Sequence, residues 1–387
     1  MNIPPHILFK VMTKTPGVFL NVARESMRCL KTRMVDYPLG KVEAAPPRYV
    51  DIKLTNRCNL RCAMCGQWGK EGTFREACPE VLREEMDLPL LKSIVDEVRD
   101  FKPMFYLWGG EPFLYADLVP FLQYLDEAGL IAASNTNGTL LEKTAEDLVG
   151  GSLANILISI DGPREVHDRV RGLEGTFDRV MNGVDKLMQA KDATGSALPY
   201  VTFVATVNKE NQTTFPEVYD IAEEVGVDFV GLQFGTFTTV ETGEAYEKRM
   251  KECLDCHEAR SWKGFLSYDT DLDYEAIQEG VRKVRNTKHS FGKYFWPDLQ
   301  PEDIPQYYTS TEPVKGRCKC VVPWMRVDLL PNGDVYPCID FPDYIVGNVH
   351  DTPLMELWNG EKYVKFRKEL QEGLLPICGR CTTLYEF

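Results

Sequence analysis

The sequence has no long apolar run, and none approaches the roughly 18 residues that a membrane-spanning helix needs. Its first residues, Met-Asn-Ile-Pro-Pro-His, lack the basic and then apolar layout of a secretory signal. Positive charge is in deficit, because 58 Asp and Glu outnumber 44 Lys and Arg and give a formal net charge of −14. These absences predict a cytoplasmic protein that does not bind nucleic acid.

Basic charge is nevertheless concentrated at the start of the chain. Residues 1–50 contain eight Lys and Arg but three Asp and Glu, a net charge of about +5. Within them, residues 5–33 predict a helical segment that is broken at Pro16 and that mixes apolar with basic side chains. An amphipathic basic helix of this kind either lies on a membrane surface or packs on the protein's own core.

From residue 49 to 235, short β-rich runs alternate with helical stretches. The alternation predicts an α/β fold of six βα units, whose parallel sheet is open or curls into a partial (βα)6, TIM-like barrel. The chemistry of such barrels lies at the carboxyl ends of the strands. The predicted strands are 49–55, 104–110, 131–137, 155–161, 200–208 and 229–234. The predicted helices between them are 90–101, 117–128, 142–150, 177–191 and 214–225.

The remainder of the chain is less regular. Helices are predicted near 243–260 and 272–286, and a hairpin is predicted around the turn sequence Pro331-Asn332-Gly333-Asp334. The last segment is small, rich in cysteine and of α+β type. The predicted domains are a basic helical segment (1–48), a barrel core (49–235), a helical linker (236–317) and a cysteine-rich domain (318–387).

Three cysteines, Cys58, Cys62 and Cys65, directly follow the first predicted strand. With twelve cysteines in an intracellular type of chain, metal binding is favoured over disulfides. Three thiolates can hold three irons of a [4Fe–4S] cluster and leave the fourth iron open to a cofactor or substrate. A zinc site is the alternative, but it needs a fourth ligand, and the candidate Cys78 lies across a long loop.

Polar motifs end the next strands. The second strand ends in Gly109-Gly110-Glu111-Pro112, the third in Asn135-Thr136-Asn137-Gly138, and the fourth in Ser159-Ile160-Asp161. By itself the Gly-Gly-Glu-Pro run would indicate only a turn. Following Cys-x₃-Cys-x₂-Cys in a six-unit βα pattern, it resembles the radical S-adenosylmethionine (SAM) superfamily over residues 49–235.

The resemblance implies which residues bind SAM. Glu111, in the run Gly109 to Pro112, would hold the amino group, and Ser159 and Arg171 would bind the carboxylate. Asn137 and Asp161 would contact the ribose or substrate, although a turn-forming role is equally open to them. One departure is Met64, which stands before the third cysteine where the superfamily usually has an aromatic residue, so we expect altered stacking on the adenine.

The resemblance also implies the reaction. One electron, supplied by a donor such as flavodoxin or ferredoxin, would cleave SAM to methionine and a 5′-deoxyadenosyl radical, which removes hydrogen from the substrate. No residue is assigned as a catalytic acid or base.

A second group of cysteines lies near the end of the chain: Cys320, Cys338, Cys378 and Cys381, with Cys318 as an alternative to Cys320. Their spacing resembles the auxiliary-cluster domain called SPASM/twitch. Too few cysteines are present for two clusters, so the shortened twitch form with one further [4Fe–4S] cluster is expected, and a structural zinc is the alternative. With four cysteine ligands such a cluster would pass electrons or support the structure, and with one ligand missing it could bind the substrate. If it takes an electron from the substrate radical, the net reaction is an oxidation.

The substrate is the least determined feature. A small-molecule or lipid-linked substrate is preferred, because no added peptide-recognition domain is evident and the basic N-terminal helix suits peripheral membrane contact. The alternatives are a maturase that acts on a ribosomally made peptide or protein, and a non-catalytic iron–sulfur electron carrier. The run Cys253-Leu-Asp-Cys256-His257 matches a c-type haem attachment sequence, which we reject because no export signal is visible.

Overall fold

The computed structural model describes residues 3–69, 72–266 and 271–385. Ten strands form one sheet in the order β10-β9-β8-β1-β2-β3-β4-β5-β6-β7. The strands are β1 (Tyr49–Thr55), β2 (Met104–Gly109), β3 (Ile131–Thr136), β4 (Leu153–Ser159), β5 (Tyr200–Val207), β6 (Phe229–Phe234), β7 (Gly292–Trp296), β8 (Arg326–Leu329), β9 (Asp334–Tyr336) and β10 (Gly347–Asn348). The α-helices are α1 (Pro5–Lys14), α2 (Pro16–Lys31), α3 (Pro79–Leu82), α4 (Leu88–Val98), α5 (Leu118–Glu127), α6 (Leu141–Thr144), α7 (Arg164–Arg171), α8 (Thr176–Thr194), α9 (Glu217–Val225), α10 (Val240–Leu254), α11 (Tyr274–Asn286), α12 (Ile304–Thr309), α13 (Leu354–Trp358) and α14 (Glu361–Glu372).

The sheet is a partial barrel that does not close. Strands β1 to β7 are parallel and lie side by side in chain order, as expected for successive βα units. The predicted α/β partial barrel is therefore confirmed. The bounds of β1 and β6 are as predicted, whereas β4 begins and ends two residues earlier than predicted.

Residues alternate along β1 between two environments. Val50, Ile52 and Leu54 belong to the apolar core that lies between the sheet and its covering helices. The residues between them are polar and point to the other side of the sheet, the barrel interior. This alternation places polar and charged side chains in the interior of the barrel.

The predicted hairpin is present as β8 and β9, which pair antiparallel. Its position was not predicted: β8 pairs parallel with β1, with Tyr49 opposite Arg326, and so extends the barrel sheet. The cysteine-rich segment is therefore attached directly to the strand that precedes the first cysteine loop. The domain boundaries given above stay predictions.

The N-terminal segment is helical and breaks at Pro16, as predicted. Helix α1 rests on the barrel through Ile7, which packs with Tyr200 and Phe229, and through an ion pair of 2.6 Å between Lys10 and Asp228. Helix α2 buries none of its residues. Among the helices that the structure describes, none has both the length and the apolarity to cross a bilayer.

Candidate active site

The first cysteine group lies on the loop that leaves the carboxyl end of β1. The thiols of Cys58, Cys62 and Cys65 form no disulfide and are half-buried. The loop is held at its middle by the Ala63 backbone N–H, which donates to the Val170 carbonyl of α7 at 3.3 Å. Burial raises the pKa of the Cys58 thiol to about 12, so the thiolate form needs a positively charged partner such as iron. The loop thus offers three soft ligands in a setting that favours metal coordination.

Gly109 and Gly110 allow β2 to pass against this loop. A Cβ at Gly109 would lie 2.5 Å from the Thr55 carbonyl oxygen, and one at Gly110 would lie 2.2 Å from the Arg57 carbonyl oxygen. Glycines permit a close backbone approach, and here β2 approaches the end of β1 and the start of the cysteine loop.

Glu111 follows these glycines and is 1% exposed. Its Oε1 accepts hydrogen bonds from the Phe113 N–H (3.0 Å) and the Thr136 hydroxyl (2.7 Å), and its Oε2 accepts from the Asn137 N–H (2.7 Å). Burial raises the pKa of this carboxyl, and the three hydrogen bonds act in the opposite direction. The carboxylate is therefore fixed in place, and its remaining lone pairs suit an ammonium group.

Arg171 lies on the other side of the loop, at the end of α7. Its Nε donates to Asp161 Oδ2 at 2.6 Å, and its Nη1 donates to the Cys62 Sγ at 3.8 Å. Asp161 is fully buried, and its carboxylate holds the guanidinium. An arginine held in this way keeps further N–H groups for a carboxylate.

The other predicted residues occupy the same edge of the barrel. Asn137 forms a turn, because its Oδ1 accepts from the Thr139 N–H at 3.0 Å, and its Nδ2 donates to Asn59 of the cysteine loop at 2.9 Å. Ser159 is the last residue of β4 and is partly exposed. Pro112 begins a buried 3₁₀ turn. The donor set of thiols, carboxylate and guanidinium fits a [4Fe–4S] cluster together with the amino-acid end of SAM.

The second cysteine group is also brought together. Cys320, Cys338, Cys378 and Cys381 line one cavity whose other walls are mostly apolar, whereas Cys318 is exposed and does not line it. Burial raises the pKa of Cys320 to about 11 and raises the pKa of Cys338 well above its usual value. This arrangement favours Cys320 over Cys318 as a ligand.

In the part of the chain that the structure describes, no three His, Cys, Asp or Glu side chains are arranged to hold a single metal ion. A [4Fe–4S] cluster makes a different demand, because each of its ligands binds a different iron. The run Cys253 to His257, at the end of α10, belongs to neither cysteine group. The Cys256 thiol donates to the Asp343 carbonyl, and the His257 ring contacts Asp255. The side chain of Met64 is partly buried and packs against the main core.

The sequence motifs do not identify His167, which lies beneath Asp161. It is fully buried, its Nδ1 accepts from the Asp161 N–H at 3.3 Å, and burial lowers its pKa to about 3. A histidine in the run His167-Asp168-Arg169 on a charged helix carries no signal that separates a buried side chain from an exposed one.

The low pKa of His167 predicts acid destabilisation. Since the pKa is lower in the folded chain than its ordinary value of about 6.5, the stabilisation is complete above that value and is lost as the pH falls toward the folded pKa. When the pH is lowered from about 7.5 to 5.5, the free energy of unfolding of the wild type should fall by about 1.4 kcal/mol more than that of His167→Gln. Anaerobic urea unfolding measures this difference. The exposed His257→Gln should behave as the wild type, and a His167→Gln variant with the wild-type pH slope would contradict the assignment.

Comparison with known proteins agrees with this geometry. Residues 52–222 match the model of the radical SAM superfamily, and residues 318–382 match that of the SPASM iron–sulfur cluster-binding domain. The AdoMet-dependent heme synthase of Methanosarcina barkeri is 28% identical over 87% of this chain and 88% of its own length. The Fe-coproporphyrin III synthase of the same organism is 27% identical over 86% of this chain and 79% of its own.

A solved structure shares the fold. Streptococcus suis SuiB bound to S-adenosylmethionine covers 92% of this chain and 74% of its own, with a TM-score of 0.60 and 16% identity. The same protein has also been solved with its precursor peptide SuiA, with a TM-score of 0.57. The predicted resemblance, the enzyme class, the [4Fe–4S] clusters and SAM binding are thereby confirmed, while the twitch form and the number of cysteine ligands stay predictions. The chain belongs to the radical SAM superfamily and carries a C-terminal SPASM iron–sulfur cluster-binding domain.

Proposed function

We propose that this radical SAM enzyme acts on a small-molecule or lipid-linked substrate at the mouth of the partial barrel. The observation that carries the location is the placement of Glu111 beside Cys58 and of Arg171 beside Cys62. The Glu111 N–H donates to the Arg57 carbonyl next to Cys58, and the Arg171 Nη1 reaches the Cys62 Sγ. A carboxylate (Glu111) and a guanidinium (Arg171), which suit the ammonium and the carboxylate of an amino acid, thus flank the three thiols.

Each residue then has a defined role. Cys58, Cys62 and Cys65 hold three irons of the first cluster, Glu111 accepts the SAM ammonium, and Arg171 with Ser159 binds its carboxylate. Asp161 is a positioning residue, because it holds Arg171 in place. Asn137 ties Glu111 to the cysteine loop and turns the chain after β3.

The bound cluster and SAM supply radical chemistry, namely one-electron reductive cleavage of SAM and removal of hydrogen from a carbon of the substrate. The electron comes from a low-potential donor such as flavodoxin or ferredoxin. Cys320, Cys338, Cys378 and Cys381 would hold a second cluster, which would supply an electron acceptor for a net oxidation of the substrate.

An anaerobic assay tests this function. Reconstituted protein, dithionite and SAM should give 5′-deoxyadenosine and methionine in equal amounts. A detergent-dispersed lipid extract, an aqueous small-molecule extract and a peptide extract are then added separately. Stimulation by the lipid or small-molecule extract supports the proposal, and stimulation by peptides alone overturns its substrate class. Cluster binding without any SAM cleavage would indicate an electron carrier.

A lipid-linked substrate is supported by the exposed apolar side chains of the N-terminal helices. Ten of the thirteen large apolar side chains that are exposed among the described residues lie between residues 8 and 39. We define the apolar stripe as Leu20, Met27, Leu30 and Met34, which are 52% to 69% exposed and recur at helical spacing. Arg24 and Lys31 lie beside this stripe and would face anionic headgroups.

This face predicts binding to anionic membranes. The protein should float with vesicles that contain phosphatidylglycerol and much less with phosphatidylcholine alone, and added salt should weaken the binding. Met27→Glu with Leu30→Glu should lower the partition coefficient by about tenfold or more, since each buried apolar side chain contributes about 1.5–3 kcal/mol. Val240→Glu is the matched control, because Val240 is also exposed (54%) but lies on α10. If the double variant instead dissociates a dimer and leaves flotation unchanged, a second copy of the chain covers the stripe.

A further inference from the structure

Lys53 is a buried lysine in the barrel interior, directly below the cysteine loop. It lies on β1 two residues before the strand ends, opposite Trp108 of β2, and is 5% exposed. Its ammonium lies 4.2 Å from the centre of the Phe74 ring and 5.4 Å from that of the Trp108 ring. Two aromatic rings thus lie beside this charge, and the nearest acidic groups that influence it are the Cys65 thiol and the Glu84 carboxyl.

Within residues 3–69, 72–266 and 271–385, no hydrogen bond or ion pair engages this ammonium. The two other buried lysines differ: Lys191 donates to the Pro199 carbonyl (2.6 Å) and contacts Asp228, and Lys293 donates to the Val284 and Thr287 carbonyls (2.7 and 2.8 Å). Contact with aromatic rings compensates only part of the cost of burying an unpaired charge. In agreement, burial lowers the pKa of Lys53 to about 7, even though the Cys65 thiol and the Glu84 carboxyl act in the opposite direction. The site would be stabilised by an anion.

Two more polar atoms at the same level of the sheet also lack partners. The Trp108 Nε1 and the Asn135 Oδ1 are buried, and neither has a hydrogen bond among the described residues. Since Leu107 pairs with Ser134, Trp108 and Asn135 are neighbours across β2 and β3. A rotation of the Asn135 amide exchanges its oxygen for its NH₂ group. Three adjacent strands therefore present three donors in one row, which we call the Lys53 row: Lys53, Trp108 and Asn135.

We infer that the Lys53 row binds an oxyanion of the substrate, a carboxylate or a phosphate, and so orients the substrate below the site of radical chemistry. The inference rests on the proposed function, because it takes the barrel mouth to be the place of reaction. An ammonium, an indole N–H and an amide NH₂ together supply donors and one positive charge, which is the complement of an oxyanion. Substrates with an ionised group would be preferred over neutral ones.

Isothermal titration of the SAM-saturated holoenzyme with inorganic phosphate and with acetate tests the inference. Binding of phosphate assigns a phosphate group and binding of acetate assigns a carboxylate. Lys53→Gln should weaken that binding by about tenfold or more, and Lys53→Arg should retain it. Lys92→Gln is the control, since Lys92 also lies over an aromatic ring (Tyr124, 4.9 Å) but on the outer helix α4.

Substrate-independent SAM cleavage provides the second readout and shows that each variant is folded. Lys53→Gln should leave the KM for SAM and the potential of the first cluster unchanged. The inference is overturned if neither anion binds, if binding survives in Lys53→Gln, or if the variant raises the KM for SAM or shifts the cluster potential instead. In each of these cases, wild-type SAM cleavage that a lipid or small-molecule extract stimulates still upholds the proposed function, whereas the absence of SAM cleavage would refute that function.

Discussion

Replacing Cys58 with alanine should abolish SAM cleavage and remove about four irons per chain. The reason is that the sequence of the loop has no fourth cysteine before the exposed Cys78. A cluster held by three thiolates has no spare ligand, and the Glu111 carboxylate, which influences the pKa of Cys58, is engaged in other contacts. Loss of one thiolate therefore releases the cluster, and SAM loses the iron that it would bind.

Iron analysis, visible absorption and 5′-deoxyadenosine production measure this result under anaerobic conditions. Cys78→Ala is the matched control, because Cys78 is exposed and should leave the iron content and SAM cleavage unchanged. Cys338→Ala should also lose about four irons, but from the second cavity, and should keep SAM cleavage while losing oxidation of the substrate. Continued production of 5′-deoxyadenosine by Cys58→Ala would refute the role given to the cysteine loop.

The barrel could be predicted because its signals are local. Each strand of the core is a short β-rich run beside an amphipathic helix, and the motifs Cys-x₃-Cys-x₂-Cys and Gly-Gly-Glu-Pro mark two strand ends. The pairing of β8 with β1 could not be predicted, since it joins segments nearly 280 residues apart and depends on packing rather than on local sequence. Strand β7 was missed for a related reason, because its five residues form a strand only beside β6.

Roles within the site required coordinates. Asp161 follows β4 as the resemblance implies, but only the structure shows that its carboxylate holds Arg171. Helix α7, which carries Arg171, was not predicted because most of its side chains are charged and its apolar positions are few. Lys53 had a signal in the sequence: Asp51, Lys53 and Thr55 alternate with apolar residues along β1, which indicates a polar face toward the barrel interior.

Glu111→Gln should lower the kcat/KM for SAM cleavage by about a hundredfold or more while leaving the iron content unchanged. The amide cannot accept every hydrogen bond that the carboxylate accepts from Phe113, Thr136 and Asn137, so a buried donor loses its partner. The variant also loses the negative charge that would face the SAM ammonium. Only the contacts to the SAM ammonium enter kcat/KM directly. Hydrogen bonds to a charged group contribute about 1.5–3 kcal/mol each, and the loss of two of them accounts for the expected effect.

The control must be a carboxylate on the same edge of the barrel. Glu85 qualifies, because it accepts from the Thr55 hydroxyl and pairs with Arg57 at 3.1 Å, yet it is partly exposed and lies outside the contacts of Glu111. Glu85→Gln should change kcat/KM by no more than about threefold, since a partly exposed ion pair contributes about 1 kcal/mol or less. Equal effects of the two substitutions would mean that Glu111 only supports the loop. A selective loss in Glu111→Gln, with the absorption of the cluster intact, would mean that the buried carboxylate binds SAM itself.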